Sequence, residues 1–178
     1  MDVAAVLDEV EAVVAACGER VCVVGALALA AWGRPRFTAD LDVLVGAACR
    51  EALIAALEQG GYETLHASAG FSNHVHPDAA RGRVDALYVD AATAGQVFAA
   101  ASPRLELGGR RHLVPSPEHL VALKLHAIRN DPGRAFRDLA DVDALMSLPE
   151  LDVAAVRPYF EQAGRLAEFE ALRSRHGR

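Results

Sequence analysis

The chain opens on Val3, Val6, Leu7, Val10, Val13 and Val14, apolar residues at the spacing of one helix face, with Asp2, Asp8, Glu9 and Glu11 on the others. This predicts a helix ending at Gly18. Residues 20–24 form a short β-branched run, followed at once by Gly25 and an alanine- and leucine-rich stretch over 26–32. That order predicts strand, tight turn and helix, with Gly33 and Pro35 as the stop. Residues 41–45 are a second strand, and Arg50–Gln59 is a helix closed by Gly60 and Gly61. Residues 62–66, 71–76 and 83–89 predict three further strands separated by Gly70, Pro77 and Gly82. A helix over 92–101 and a hairpin around Gly108 and Gly109 follow. At Ser116, Pro117 and Glu118 the pattern changes to an N-cap, a first-position proline and a first-turn acid. The rest is expected to be helical, broken at Pro132-Gly133, Pro149 and Pro158. The expected architecture is α+β: a mixed β-sheet flanked by helices over residues 1–115, and a C-terminal helical region, 116–178, packed on it.

Composition narrows the function classes. With 52% hydrophobic and 24% charged residues the 178-residue chain can bury a core, and its 6% aromatic content leaves most of that core to aliphatic side chains. Acids outnumber bases 24 to 18, a net charge of −6, which argues against coating nucleic acid through a general positive field. Three cysteines, Cys17, Cys22 and Cys49, include no CxxC pair, so the expectation is buried reduced thiols, with no zinc and no disulfides. The acidic N-terminal helix does not read as a signal peptide. No uncharged run reaches the roughly 18 residues of a membrane span. The expected setting is cytoplasmic, with no membrane partner.

The chemistry concentrates between Val23 and Val45. Asp40 and Asp42 lie two apart on a strand, so both carboxylates point to one face while Leu41 and Val43 face the core. Neighbouring carboxylates repel, and a divalent cation bound by oxygen ligands removes the conflict. Gly25, at a strand-to-helix turn, lets backbone approach a phosphate at a helix N-terminus. Arg36 and Thr38 precede the acids, and arginine suits phosphate oxygens. Asp85 sits inside an apolar strand and needs a partner, either a metal shared with Asp40 and Asp42 or one of Arg81 and Arg83.

A strand, glycine and helix, then Asp-x-Asp on the next strand and a third Asp on a later one, resembles the nucleotidyltransferase superfamily of the DNA polymerase β type. The stretch Gly33-Arg-Pro-Arg-Phe-Thr-Ala-Asp-Leu-Asp42 is similar to minimal bacterial members, the AbiEii-type toxin nucleotidyltransferases and their relatives. The likeness extends more weakly over residues 124–145. It implies transfer of a nucleoside monophosphate from an NTP to an acceptor hydroxyl. Two Mg²⁺ ions would be held by Asp40, Asp42 and Asp85, and Asp85 would take the hydroxyl's proton. Gly25 and Ala26 would cradle phosphate, aided by Arg36, Thr38 and Lys124. Where the family carries Gly-Gly or Gly-Ser this chain has Gly25-Ala26. The acceptor implied is RNA (tRNA) or protein, with a cognate antitoxin as partner. An aminoglycoside-type adenylyltransferase, or a catalytically weak nucleotidyltransferase-like protein that binds a partner, are the alternatives.

Lys124, in the apolar run from Leu120 to Leu125, must either snorkel to water or meet an anion such as phosphate. Arg129, Arg137, Asp138 and Asp141 read as a helix-surface ion-pair set. His74 and His76 alternate on a strand and are expected as a partly exposed pair near the substrate cleft. No Walker A, Gly-x-Ser-x-Gly or His-Glu-x-x-His pattern is present.

Overall fold

A computed structural model describes residues 1–178 and divides them into two compact units, Met1–Pro115 and Ser116–Arg178. In the first, α1 (Val3–Ala16) is capped by Asp2, whose carboxylate accepts from the Ala5 N–H at 3.2 Å. Five strands form one sheet: β1 (Cys22–Val23), β2 (Asp40–Gly46), β3 (Glu63–Ala67), β4 (Phe71–Val75) and β5 (Arg83–Val89). Their spatial order is β1-β2-β5-β4-β3; β2 and β5 run parallel and every other pair antiparallel. The helices of this unit are α2 (Gly25–Ala31), α3 (Arg50–Gln59) and α4 (Ala91–Ala100), and a hairpin of β6 (Ser102–Leu107) and β7 (Arg110–Val114) closes it. The parallel β2–β5 pair requires a long crossover, and α3, β3 and β4 lie within it.

The first strand is shorter than its β-branched run predicts. β1 pairs with β2 only at Cys22–Leu44 and Val23–Val43, because the chain leaves the sheet at Gly25, where φ is +62°. One sheet face carries Leu41, Val43, Val84 and Ala86, all fully buried. The same face holds a chain of polar groups. Tyr88 Oη and Ser72 Oγ are 2.7 Å apart, Ser72 Oγ and His74 Nε2 2.8 Å, and His74 Nδ1 and Thr64 Oγ1 3.1 Å; Thr64 in turn donates to Glu58. A buried polar group without a partner is costly, and here each has one. His74 is therefore a core residue, not half of an exposed pair at a cleft; His76, beyond the end of β4, packs edge-on against Tyr62. Cys22 and Cys49 are buried, their thiols pushed up to about 12 by burial, whereas Cys17 is exposed at the end of α1, contrary to its apolar sequence context.

The second unit contains α5 (Pro117–Asn130), α6 (Ala135–Met146), α7 (Val153–Gln162) and α8 (Leu166–Arg175). Ser116 caps α5, accepting from the His119 N–H at 3.4 Å. Pro158 does not break the chain, as its sequence position suggests, but lies inside α7. An interior proline costs a helix about 3 kcal/mol, and burial of Val156 and Phe160 outweighs it, with the Phe160 ring 5.3 Å from that of Phe169. No helix is long and apolar enough to cross a membrane.

Burial pushes the His74 imidazole below its ordinary value of 6.5, against weaker pulls from Glu58 and Asp85. A histidine held neutral in the fold contributes stability that is complete above the unfolded value and drains away as pH falls through the lower folded one. Thermal melting should therefore drop as pH goes below about 6.5. His74→Gln should flatten that drop when its melting curves are compared with those of the parent protein.

Candidate active site

Strand register assembles the acids. Asp42 of β2 lies directly opposite Asp85 of β5, and Asp40 opposite Arg83, so all four side chains rise from one face of two adjacent parallel strands. Each is partly exposed while the alternating Leu41, Val43 and Val84 are buried. Sequence alone puts Asp40 and Asp42 on one face; only the fold brings Asp85 beside Asp42.

Gly25 makes room for this face. A Cβ built on it would fall 2.0 Å from Oδ2 of Asp42, which is impossible for any side chain, and its φ of +62° independently favours glycine. The Val24 N–H donates to the Asp42 carbonyl at 2.9 Å, tying the turn to the acid-bearing strand. Ala26, next along α2, is buried. Thr38 acts locally. Its hydroxyl donates to the Asp40 carbonyl and accepts from the Asp40 N–H, both at 3.2 Å, so it shapes the backbone that enters β2. Arg34, Arg36 and Phe37 are exposed on the same segment, Phe37 at 91%. Beneath its start, the Arg104 guanidinium lies 3.8 Å over the Trp32 ring.

Asp85 finds its partners inside the sheet. Its Oδ1 accepts from Nδ2 of Asn73 at 2.7 Å and from Nε of Arg83 at 2.9 Å. Arg81, the other candidate, pairs instead with Glu9 of α1. The hydrogen bond to Asp85 raises the Arg83 guanidinium above its ordinary range, with further pull from Asp40 and Asp42. Asn73 has no signal in the sequence, because its neighbour is set by the antiparallel β4–β5 register, which pairs it with Asp85.

No three acidic, histidine or cysteine side chains converge as a ready-made metal cage. The donor set nevertheless suits Mg²⁺, which takes oxygen ligands from one or two carboxylates and completes its shell with water and substrate phosphates. Asp40, Asp42 and the Oδ2 atom of Asp85, which neither Asn73 nor Arg83 bonds, are such donors.

Lys124 stands in the helical unit, buried on α5. The anions it meets there are carboxylates of α6: its Nζ donates to Asp138 at 2.9 Å and Asp141 at 2.6 Å. Asp138 is fully buried and also accepts from Arg134 at 3.1 Å, so it is a core ion pair and not part of a surface set. Arg129 lies elsewhere, against His126. Burial pushes the Asp138 carboxyl up, but hydrogen bonds and charges from Lys124 and Arg134 outweigh it and hold it below its ordinary 3.8.

The sequence profile of one family, the nucleotidyl transferase AbiEii toxin of type IV toxin–antitoxin systems, matches residues 10–176. The chain belongs to the AbiEii nucleotidyltransferase family. It is accordingly a nucleotidyltransferase, and its mixed sheet and helices have the fold of such enzymes. Among solved structures, the antibiotic-resistance factor ANT(2'')-Ia is similar over 98% of this AbiEii-family chain and 92% of its own, at 15% identity and a TM-score of 0.57. The lincosamide antibiotic adenylyltransferase LnuA, solved with lincomycin bound, is similar over 81% of this chain and 96% of its own, at 14% identity and a TM-score of 0.56. At such identities the likeness is one of fold. No curated protein matches the AbiEii-family sequence.

Two substitutions check these contacts. Gly25→Ala should cost about 1–2 kcal/mol of stability from the left-handed backbone and, by displacing the Asp42 carboxylate, should lower turnover on the order of 100-fold. Denaturant unfolding and nucleotidyl transfer measure the two effects. Lys124→Met should destabilise the helical unit by about 3 kcal/mol, because Asp138 keeps its buried charge and loses its closest ammonium. That loss should shrink in acid, since the stability tied to a depressed carboxyl is full above 3.8 and disappears as pH falls through the folded value.

Proposed function

We propose that this AbiEii-family enzyme transfers a nucleoside monophosphate from an NTP to a hydroxyl on RNA or protein. In this reading it works with two Mg²⁺ ions at Asp40, Asp42 and Asp85, as the toxin of a pair restrained by a cognate antitoxin. The observation that carries it is the facing of Asp42 and Asp85 across two parallel strands, with Gly25 cleared to make room. Bound metal would supply charge neutralisation at both the attacking and the leaving oxygen.

The chain's own groups do the rest. First-turn N–H groups of a helix have no partner within it, and those at Gly25 and Ala26 face the β- and γ-phosphates in this reading. Arg36 adds a guanidinium to the triphosphate, and Thr38 keeps Asp40 in place. Lys124 is engaged by Asp138 and Asp141, and in this reading it contacts no phosphate. The acceptor oxygen attacks the α-phosphorus, the bond to pyrophosphate breaks, and the acceptor proton passes to the Asp85 carboxylate. Most of the rate then comes from positioning and charge, as in other phosphoryl-group transfers.

Arg34, Arg36 and the exposed ring of Phe37 support a nucleic-acid acceptor, since arginine holds backbone phosphate and an aromatic face stacks on an unpaired base. The fold likeness to ANT(2'')-Ia and LnuA favours a second reading, in which the acceptor is a small antibiotic.

The test is incubation of purified protein with Mg²⁺ and each α-³²P-labelled NTP, with total tRNA, lysate protein and an aminoglycoside panel supplied separately. Label is expected in RNA or protein. It should vanish with Asp40→Asn or Asp42→Asn, while the melting temperature stays level or rises as carboxylate repulsion is relieved. Label in the aminoglycosides alone selects the second reading. Transfer undiminished in both variants overturns the metal assignment. No label and no Mg²⁺–NTP binding would leave a nucleotidyltransferase-like partner-binding protein.

A further inference from the structure

Asn73 belongs to the working site although it is neither acidic nor basic. It is nearly buried on β4, its side chain on the acid-bearing face, and its amide nitrogen donates to Oδ1 of Asp85 at 2.7 Å. Arg83 donates to the same oxygen at 2.9 Å through Nε. A carboxylate oxygen has room for two donors, and here both are taken on the same atom, so the carboxylate is held against rotation. With Asn73 on Oδ1, Arg83 meets Asp85 through one nitrogen and one oxygen, and Oδ2 is bonded by neither.

The far side of β4 shows why Asn73 can hold this position. Its two chain neighbours, Ser72 and His74, are fully buried on the opposite face and locked by the hydrogen-bonded series from Tyr88 to Thr64. A strand pinned on one face cannot slip its register, since a slip of one residue would send Ser72 and His74 into the acidic face and Asn73 into the core. The buried serine and histidine, which resemble a nucleophile and its base, thus have a mechanical use.

We infer that Asn73 is a positioning residue for Asp85: its amide and Arg83 Nε share Oδ1 from two neighbouring directions, which fixes the rotation of the carboxylate and presents Oδ2 to a divalent cation. This rests on the proposed assignment of Asp85 to the metal site. Asn73 itself touches neither cation nor substrate.

The test is Mn²⁺ titration of the parent protein, Asn73→Ala, Asp85→Ala and the double variant, with free Mn²⁺ read from its electron paramagnetic resonance signal. Loss of a group that orients a metal ligand typically weakens affinity by about tenfold or more, and that loss is expected for Asn73→Ala. In the Asp85→Ala background the same change should have no effect, because its target is gone. Thermal melting checks the fold. If Asn73→Ala is unfolded, Asn73→Ser replaces it, polar and strand-compatible but too short to reach Oδ1. Unchanged affinity in the Asn73 variant overturns the inference, and so does an equal loss with and without Asp85. Unchanged affinity in Asp85→Ala overturns the metal assignment beneath it, so the two failures are distinguishable.

Discussion

Three carboxylates on one face of two adjacent strands set the terms for everything around them. Asp40, Asp42 and Asp85 would drive one another apart or take up protons in a dry setting. The fold answers with partial exposure, with Arg83 opposite Asp40, and with a neutral donor from the next strand. Gly25 belongs to the same answer, because the Asp42 carboxylate occupies the volume any other residue's Cβ would claim. The rest of the first unit holds these positions: a buried aliphatic face behind β2 and β5, and a pinned β4 alongside.

Much of this is legible in the chain. The alternation over residues 40–45 and 83–89 marks both acid-bearing strands, and the Gly25 turn is visible as a β-branched run meeting a helix former. Helix boundaries are sharpest where local chemistry fixes them, as at Ser116-Pro117 and at the glycine pair after Gln59. What cannot be read is anything set by pairing between distant segments. Asn73 is an ordinary polar residue until register sets it against Asp85. His74 reads as a partly exposed residue because strand alternation says which side chains share a face, not which face is buried.

Lys124 shows the limit in energetic terms. A lysine in an apolar helix needs an anion or an outlet to water, and the sequence states that need without naming the supplier. Here the supplier is Asp138 with Asp141, on the helix after a one-turn break at Pro132–Arg134. Pro158 makes the complementary point: a local helix-breaking preference yields when the flanking residues bury enough apolar surface.

The close approach of Asp42 to Gly25 also changes how a member of this family is judged from its sequence. The three acids are the conspicuous residues, and their presence invites the conclusion that a site is competent. Yet a chain could retain all three while a single methyl group at position 25 pushed the Asp42 carboxylate out of place. If the proposed metal site is right, the glycine counts alongside the acids, and three acids with a larger residue in its place make a weaker sign of activity than three acids with the glycine.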